Sequence, residues 1–431
     1  MRFPGRLAAA IAVLEDMDAH RRPVSEALKA WGLLNRFAGA GDRAAIGNLV
    51  YDALRRRASH GFRMGSDAPR AVLLSVAVRE WGETVEGLNA AFTDDKFAPA
   101  PVTAEEAALL TAPDPIASAP VAQRADVPDW VVPELEAAFG ADWIAEAEAM
   151  AGRPPLDLRV NTLKATPEKV LKALERLTPD AANAVPEAIR FSAGSRDSRT
   201  PNVQTDEAYL KGFVEVQDLG SQIVSALSAP KRAEQVLDLC AGAGGKALAL
   251  AAHMGNRGQI FAHDSDRKRL APIYDRLQRA GARNVQVRPP APGALDDLIG
   301  KLDRVVVDAP CTGSGTWRRQ PSAKWKLTPE QLALRMAEQA EILDHAAIFL
   351  KPGGTLCYIT CSVLPGENGR QAEAFLARHA DFTAIPGNSL WMVLFAGSPL
   401  RARFSPEGGI ALTPRLTGTD GFYFIALRKA E

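Results

Sequence analysis

The sequence predicts an α/β protein whose main domain is a mostly parallel sheet covered on both faces. A small α+β segment and an N-terminal all-helical region precede it. Three observations carry this. From 234 onward, short apolar strands alternate with helical stretches, the pattern of βαβ units. The first ninety or so residues place Leu and Ala at three- and four-residue spacing. Between these regions, LDLRVNTLK (156–164) alternates with period two, as a half-buried strand does. At ~150 residues per domain, 431 residues make two or three domains. The expected division is 1–128, 129–230 and 231–431.

Helices are predicted over 6–15, 24–38, 43–58 and 69–80, separated by Arg-Pro, Gly-rich and Ser-Asp breaks. Met1 to Arg70 carries twelve Arg/Lys against seven Asp/Glu, and Arg55, Arg56 and Arg57 sit together. Two readings stay open for this surplus. It is a solvated face with cations at a helix C-terminus, which the dipole favours, or a helical module facing nucleic acid. Pro99, Pro101, Pro113, Pro115, Pro120 and Pro128 mark 93–128 as a linker with one short helix over 103–111. One helix is expected from Trp130 to Met150 and another over 166–176. GFVEVQDLGSQIVSALSA reads as a strand followed by a helix.

In the main domain, strands are expected at 236–240, 259–264, 284–288, 303–310 and 355–360, with helices at 246–254, 266–280 and 329–350. FYFIALRK (422–429) is expected to add at an edge.

Composition excludes several classes. Hydrophobic residues at 47% and charged residues at 24% are those of a globular protein, not of a collagen, a coiled coil or a disordered chain. Lys plus Arg and Asp plus Glu number 51 each, so bulk positive charge cannot coat nucleic acid, although a local basic face can. No apolar run reaches the ~20 residues of a membrane span, and the opening residues lack a signal-cleavage pattern. The four cysteines, Cys240, Cys311, Cys357 and Cys361, are too sparse for a disulfide framework and lack zinc-ligand spacing. A cytoplasmic monomer without metal is expected.

VLDLCAGAGGKALALAAH is a strand, a glycine-rich turn and a helix, and open parallel sheets bind ligands at such strand ends. Gly242, Gly244 and Gly245 let a ligand approach the main chain; the competing reading is packing of helix on strand. Asp264, at the end of the next strand, can accept both hydroxyls of a ribose. Its alternative is a helix N-cap, for which Asp266 is better placed. Lys246 is followed by Ala247, so the turn lacks the Gly-Lys-Ser/Thr of a phosphate-binding loop. A nucleoside cofactor without a phosphate chain fits, and S-adenosyl-L-methionine is the candidate.

DRVVVDAPCTGSGTWRR places Asp308 and Cys311 just past the fourth strand, and TLCYITCSVLPGEN places Cys361 just past the fifth. Cys357, inside its strand, is expected to be a small buried hydrophobe. A cysteine beside a methyl donor has a specific use. Carbon 5 of cytosine becomes nucleophilic only when a thiolate adds to carbon 6. That requires lowering a thiol pKa near 8.5, to which strand-end amides and the run Arg318, Arg319, Lys324 and Lys326 are expected to contribute. A second ionisable group must then help remove the carbon-5 proton, and a second thiol can serve. Asp308 is positioned to hydrogen-bond the base and supply ring protonation; its alternative is a loop cap.

CAGAGGK, HDSDRKR, DAPCTGSG, KW and YITCSVLPGEN followed by TDGFYF resemble the Sun/RsmB-type RNA cytosine-5 methyltransferases, over about 156–431. FVEVQDLGSQI and LRVNTLK are further signatures. The resemblance implies a Rossmann-like class I methyltransferase domain with a seven-stranded sheet. It implies that Cys361, in the TCS motif, is the nucleophile and that Cys311 assists release of the methylated base. The implied cofactor contacts are Cys240, Ala241, Gly242, Ala243, Gly244, Gly245, Lys246, Asp264, Arg269 and Asp308. The N-terminal region resembles the NusB-like RNA-binding domain of members acting on 16S rRNA, so RNA is the expected partner. Two departures stand out: Gly242-Ala243 replaces the usual Ala-Pro, and the third strand runs Val287-Arg288-Pro289-Pro290 where an acid near the adenine is common. The alternatives are a catalytically decayed ribosome-assembly factor and a DNA cytosine methyltransferase, whose nucleophile sits in a Pro-Cys motif.

Overall fold

Apolar residues at helical spacing build the helices of the first part of the chain: Phe3–His20, Val24–Leu34, Ala40–Arg55, Arg57–Met64, Pro69–Arg79 and Val85–Thr93. The structure is a computed structural model that describes residues 1–180, 185–228 and 230–431. The chain divides into two units. The helical unit is Met1–Arg153 with Ala193–Thr200 and Trp317–Lys326, and the sheet unit is the remainder. The division falls at 153/154 where a cut at 128/129 was expected, it has none at 230/231, and two later segments belong to the helical unit.

Leu7, Leu14, Ile46, Leu49, Leu73 and Leu74 form the core of the helical unit. The expected 43–58 helix breaks at Arg56, which leaves helical geometry at φ −123°. The expected 130–150 helix breaks at Gly140 (φ +59°) into Val132–Phe139 and Trp143–Met150.

The expected linker is corrected by the structure. Only its short helix stands as read: Ala104–Thr111, held by a capping box between Thr103 and Glu106. Val102 and Leu110 join the helical core, and Ala119, Ala122 and Val127 are buried. Pro115 opens a short helix, while Pro120 and Pro128 cap two others. A missing N–H costs nothing at such positions, so the prolines shape packed turns and not a spacer.

The basic surplus is largely consumed inside the unit. Arg55 is buried against Asp52 (3.0 Å), and Arg57 is bidentate to Asp18. Asp52 also receives Arg153 (2.9 Å) and the Trp81 indole N–H (3.0 Å). The returning segment is held the same way. Arg55 Nε donates to Arg318 O (2.8 Å), Lys324 Nζ to Arg55 O (2.9 Å) and Trp325 Nε1 to Leu54 O (2.7 Å). Burial, opposed by the Asp126 carboxylate, lowers Lys324 to about 8.

The described residues of the sheet unit hold twelve strands: β1 Leu156–Val160, β2 Ala188–Phe191, β3 Val214–Val216, β4 Gln235–Asp238, β5 Gln259–His263, β6 Val285–Arg288, β7 Leu302–Asp308, β8 Leu350–Thr360, β9 Phe382–Ile385, β10 Arg403–Phe404, β11 Ile410–Leu412 and β12 Phe422–Lys429. The first three form a small antiparallel sheet in the order β2-β1-β3. The others form one sheet in the order β10-β11-β12-β8-β7-β4-β5-β6, with β9 also on β12. Its β8-β7-β4-β5-β6 part is parallel and the rest antiparallel. Among the described residues this sheet therefore has nine strands where seven were expected, and β12 lies inside it, not at an edge. The three strands not read from the sequence, β9 to β11, are two to four residues long, too short for their periodicity to be read.

Helices Leu219–Leu227, Gly245–Met254 and Ile273–Ala280 cover one face, and Pro329–Ala347 with Gly369–Arg378 cover the other. The expected 266–280 helix is interrupted at Pro272. Because β4, β5, β7 and β8 run parallel, Asp238, His263, Asp308 and Thr360 end on one side of the sheet.

Candidate active site

At the end of β4 the chain enters a turn with Gly242 at φ +50° and Gly244 at φ +84°, both left-handed. The two glycines answer to different demands. A Cβ on Gly244 would stand 2.5 Å from Ile273 Cγ1, so this glycine packs helix against turn. A Cβ on Gly242 would point towards Arg269 and Asp264 at 3.7–3.9 Å, on the ligand side, and one on Gly245 would meet nothing within 4 Å. Ala241 N donates to His263 O (2.8 Å), and Ala243 O accepts from Arg276 (2.8 Å), which fixes the turn against β5 and the following helix.

Asp264 is 1% exposed. Its two oxygens accept from Gly242 N (2.9 Å) and Asp266 N (2.8 Å), and the Arg269 guanidinium lies 3.8 Å away. Asp266 caps the next helix, accepting from Lys268 N and Arg269 N. Asp266 is thus the cap read from the sequence, while Asp264 braces the glycine turn through its two main-chain contacts.

Lys246 Nζ sits 2.6 Å from Asp308 Oδ2, a pairing the sequence did not reveal because 62 residues separate them. Asp238 is fully buried, and no side chain among the described residues hydrogen-bonds its carboxylate, which faces the Ala247 main-chain N–H. Burial and the Asp308 charge push it up to about 7, against the pull of Lys246. Burial, with the charges of Asp238, Asp264 and Asp308, also pushes the Cys240 thiol up. Cys240 is therefore a packed thiol that supplies backbone to the turn.

Cys311 Sγ and Cys361 Sγ are 3.3 Å apart, and both residues are partly exposed. Glycines make this approach possible. Gly315 N donates to Cys361 O (3.0 Å), and Gly421 N donates to Gly315 O (2.8 Å). A Cβ on Gly315 would stand 2.1 Å from Gly421 O, which explains why GSG and TDG both carry glycine. The hydrogen bond to Cys361 and burial push Cys311 well up, and the charges of Cys361 and Glu367 add to this, so Cys311 keeps its proton. Cys357 is fully buried with Arg304 at 3.6 Å from its sulfur, in the packing role expected of it.

One expectation needs correction. Arg318, Arg319, Lys324 and Lys326 belong to the helical unit, where Lys324 Nζ and Lys326 Nζ donate to main-chain carbonyls of Arg55, Arg21 and Arg22. The Lys324 and Lys326 ammonium groups thus tie that segment down. At the end of β6, Arg288 takes the place of an acid and pairs with Asp297 (2.8 Å) while lying over the Phe261 ring. The sequence also assigned no role to Glu367 and Asn368 of PGEN, which are buried beside the two cysteine loops.

The chain has relatives among known proteins. The description "16S rRNA methyltransferase RsmB/F" matches residues 225–428, and "Methyltr_RsmF/B-like, ferredoxin-like domain" matches 127–196. The ribosomal RNA small subunit methyltransferase B of Shewanella oneidensis is 33% identical over 306 residues, covering 71% of this chain and 67% of that protein. The chain belongs to the RsmB/F family. A second member, the methyltransferase B of Erwinia tasmaniensis, is 36% identical over 309 residues, 70% of this chain and 66% of its own length. The match thus spans about two thirds of these relatives. The crystal structure of PH0851 shares the fold of this RsmB/F chain over its whole length, with a TM-score of 0.73 at 24% identity, covering 100% of this chain and 99% of that one.

Proposed function

We propose that this RsmB/F-family chain methylates carbon 5 of a cytidine in small-subunit ribosomal RNA, with Cys361 as nucleophile and Cys311 as the group that releases the product. The observation that carries the reading is the 3.3 Å approach of the two sulfurs at the ends of neighbouring parallel strands. Core packing does not call for two thiols, fifty residues apart in sequence, at the ligand side of a sheet.

The residues fit S-adenosylmethionine. The Gly242 to Lys246 turn, Asp264 and Arg269 form a cradle with a clear approach at Gly242 and Gly245. Adenosylmethionine, when bound, supplies an electrophilic methyl group. Asp264 has both oxygens on main-chain amides and lone pairs left for ribose hydroxyls. Asp308, oriented by Lys246 at 2.6 Å, accepts from the cytosine amino group. Lys246 Nζ, paired with Asp308, is the proposed donor to the ring as Cys361 adds to carbon 6. Unstacking the target costs a few kcal/mol and favours loops over duplex. The helical unit, read as NusB-like, is the proposed RNA-holding part.

The test is substitution of each cysteine. Cys361→Ala abolishes methyl transfer to 16S rRNA, whereas Cys311→Ala accumulates an RNA–protein adduct that survives a denaturing gel; Cys357→Ala retains activity. Full activity in either of the first two variants overturns the reading, and an adduct trapped in Cys361→Ala reverses the roles.

A further inference from the structure

Two adjacent residues bracket the two sulfurs. Glu367 takes the Cys311 loop from both sides. Its carboxylate accepts from Thr312 N (2.8 Å) and the Thr312 hydroxyl (2.5 Å), one residue after the cysteine. It also accepts from Gln339 Nε2 (3.0 Å), which donates in turn to Pro310 O (2.9 Å), one residue before it. Asn368 does the same for Cys361. Its Oδ1 accepts from the Thr360 hydroxyl (2.5 Å), and its Nδ2 donates to Ser362 O (2.9 Å). Glu367 is fully buried and Asn368 is 7% exposed. The backbone between them is further secured by Tyr358, whose hydroxyl donates to Glu367 O (2.6 Å).

The two brackets differ in charge. Each of these partners of the Glu367 side chain is a donor, which an ionised carboxylate satisfies. The Asn368 amide is neutral. A negative charge beside a thiol opposes its ionisation, while a neutral amide does not. The titratable groups facing Cys311 are Cys361, Glu367 and the Tyr358 phenol.

We propose that Glu367 and Asn368 are positioning residues that set the sulfur–sulfur distance and make the two thiols unequal, Glu367 keeping Cys311 the proton holder so that Cys361 is the one that ionises. In that arrangement the Cys311 S–H donates to the Cys361 thiolate, consistent with the 3.3 Å separation. The inference rests on the assignment of Cys361 as nucleophile, but its test does not need methyl transfer.

The experiment is alkylation of the full-length protein by iodoacetamide from pH 6 to 10, with each cysteine read separately by peptide mass spectrometry. In the native protein Cys361 reacts first and Cys311 only at higher pH. Glu367→Gln, which keeps the shape and removes the charge, raises the Cys311 rate at pH 7.5 by about tenfold, the effect of a one-unit fall in thiol pKa. Asn368→Asp is the reciprocal arm: it slows Cys361 by a similar factor and leaves Cys311 unchanged. An unchanged Cys311 profile in folded Glu367→Gln overturns the proposal, as does loss of fold in both variants, which would make the pair purely structural. If the profiles shift as stated while Cys361→Ala still methylates RNA, the tuning stands and the reading of the activity fails.

Discussion

The ends of β4 and β5 and the ends of β7 and β8 lie on one side of one sheet, yet they are built on opposite principles. Around Cys311 and Cys361 nearly all the polar groups are matched, Gln339 Oε1 being an exception among the described residues. Glu367, Asn368, Gln339, Thr312, Thr360, Ser314 and Ser362 bond to one another or to the loops that carry the sulfurs. Around the glycine turn, Asp238 is buried with no side-chain hydrogen-bond partner among the described residues, and Asp264 and Asp308 share its surroundings. The thiol half is locked before any substrate arrives. The glycine-turn half holds carboxylate repulsion, which the cationic centre of the proposed cofactor would relieve.

The largest effect that tests this contrast is on Asp238. Its folded pKa is raised from 3.8 to about 7, so between these values the folded state binds a proton that the unfolded state has lost. Stability then falls as pH rises through that window, by up to about 3 kcal/mol between pH 5 and 8. Asp238→Asn removes this fall, and denaturant unfolding of the cofactor-free protein at the two pH values measures it. Parallel pH profiles for the two proteins would show that the cofactor half holds no such repulsion.

Next in size is Asp264→Asn. Loss of a charged acceptor for the ribose costs about 2 kcal/mol, roughly thirtyfold in affinity. Calorimetry with S-adenosylhomocysteine reads this, and an unchanged Kd would remove Asp264 from the cofactor site. The smallest effect belongs to the thiol half. Ser314 is fully buried, its hydroxyl 2.8 Å from Ser362 Oγ and accepting from Val363 N. Ser314→Ala strands that amide and costs about 1 kcal/mol at every pH. A pH-dependent loss, or none, would contradict the picture of a matched thiol half.

What the sequence made legible follows from where the physics is local. The β4 strand, its glycine turn and Asp266 as a cap are consequences of a few neighbouring residues, and the parallel strands follow from runs of Val, Ile and Leu. The convergence of Cys311 with Cys361 was readable because both close strands that alternate with helices. Pairings across long separations were not: Lys246 with Asp308, and Glu367 with Thr312 and Gln339, depend on register and loop path. The basic run after Cys311 misled for the same reason, since nothing local says that Lys324 turns to the Arg55 carbonyl. The proline-rich stretch misled because proline opens short packed helices as readily as it stiffens a spacer.

The return of Trp317–Lys326 to the helical unit has a consequence for biosynthesis. The first 153 residues leave the ribosome long before this segment is made, and domains ordinarily fold in the order they emerge. Here the main-chain acceptors for Lys324 and Trp325, at Arg55 and Leu54, wait unfilled until most of the sheet unit has been translated. The amino-terminal part is thus finished last, and a nascent chain stalled before residue 317 would retain that unfilled seam.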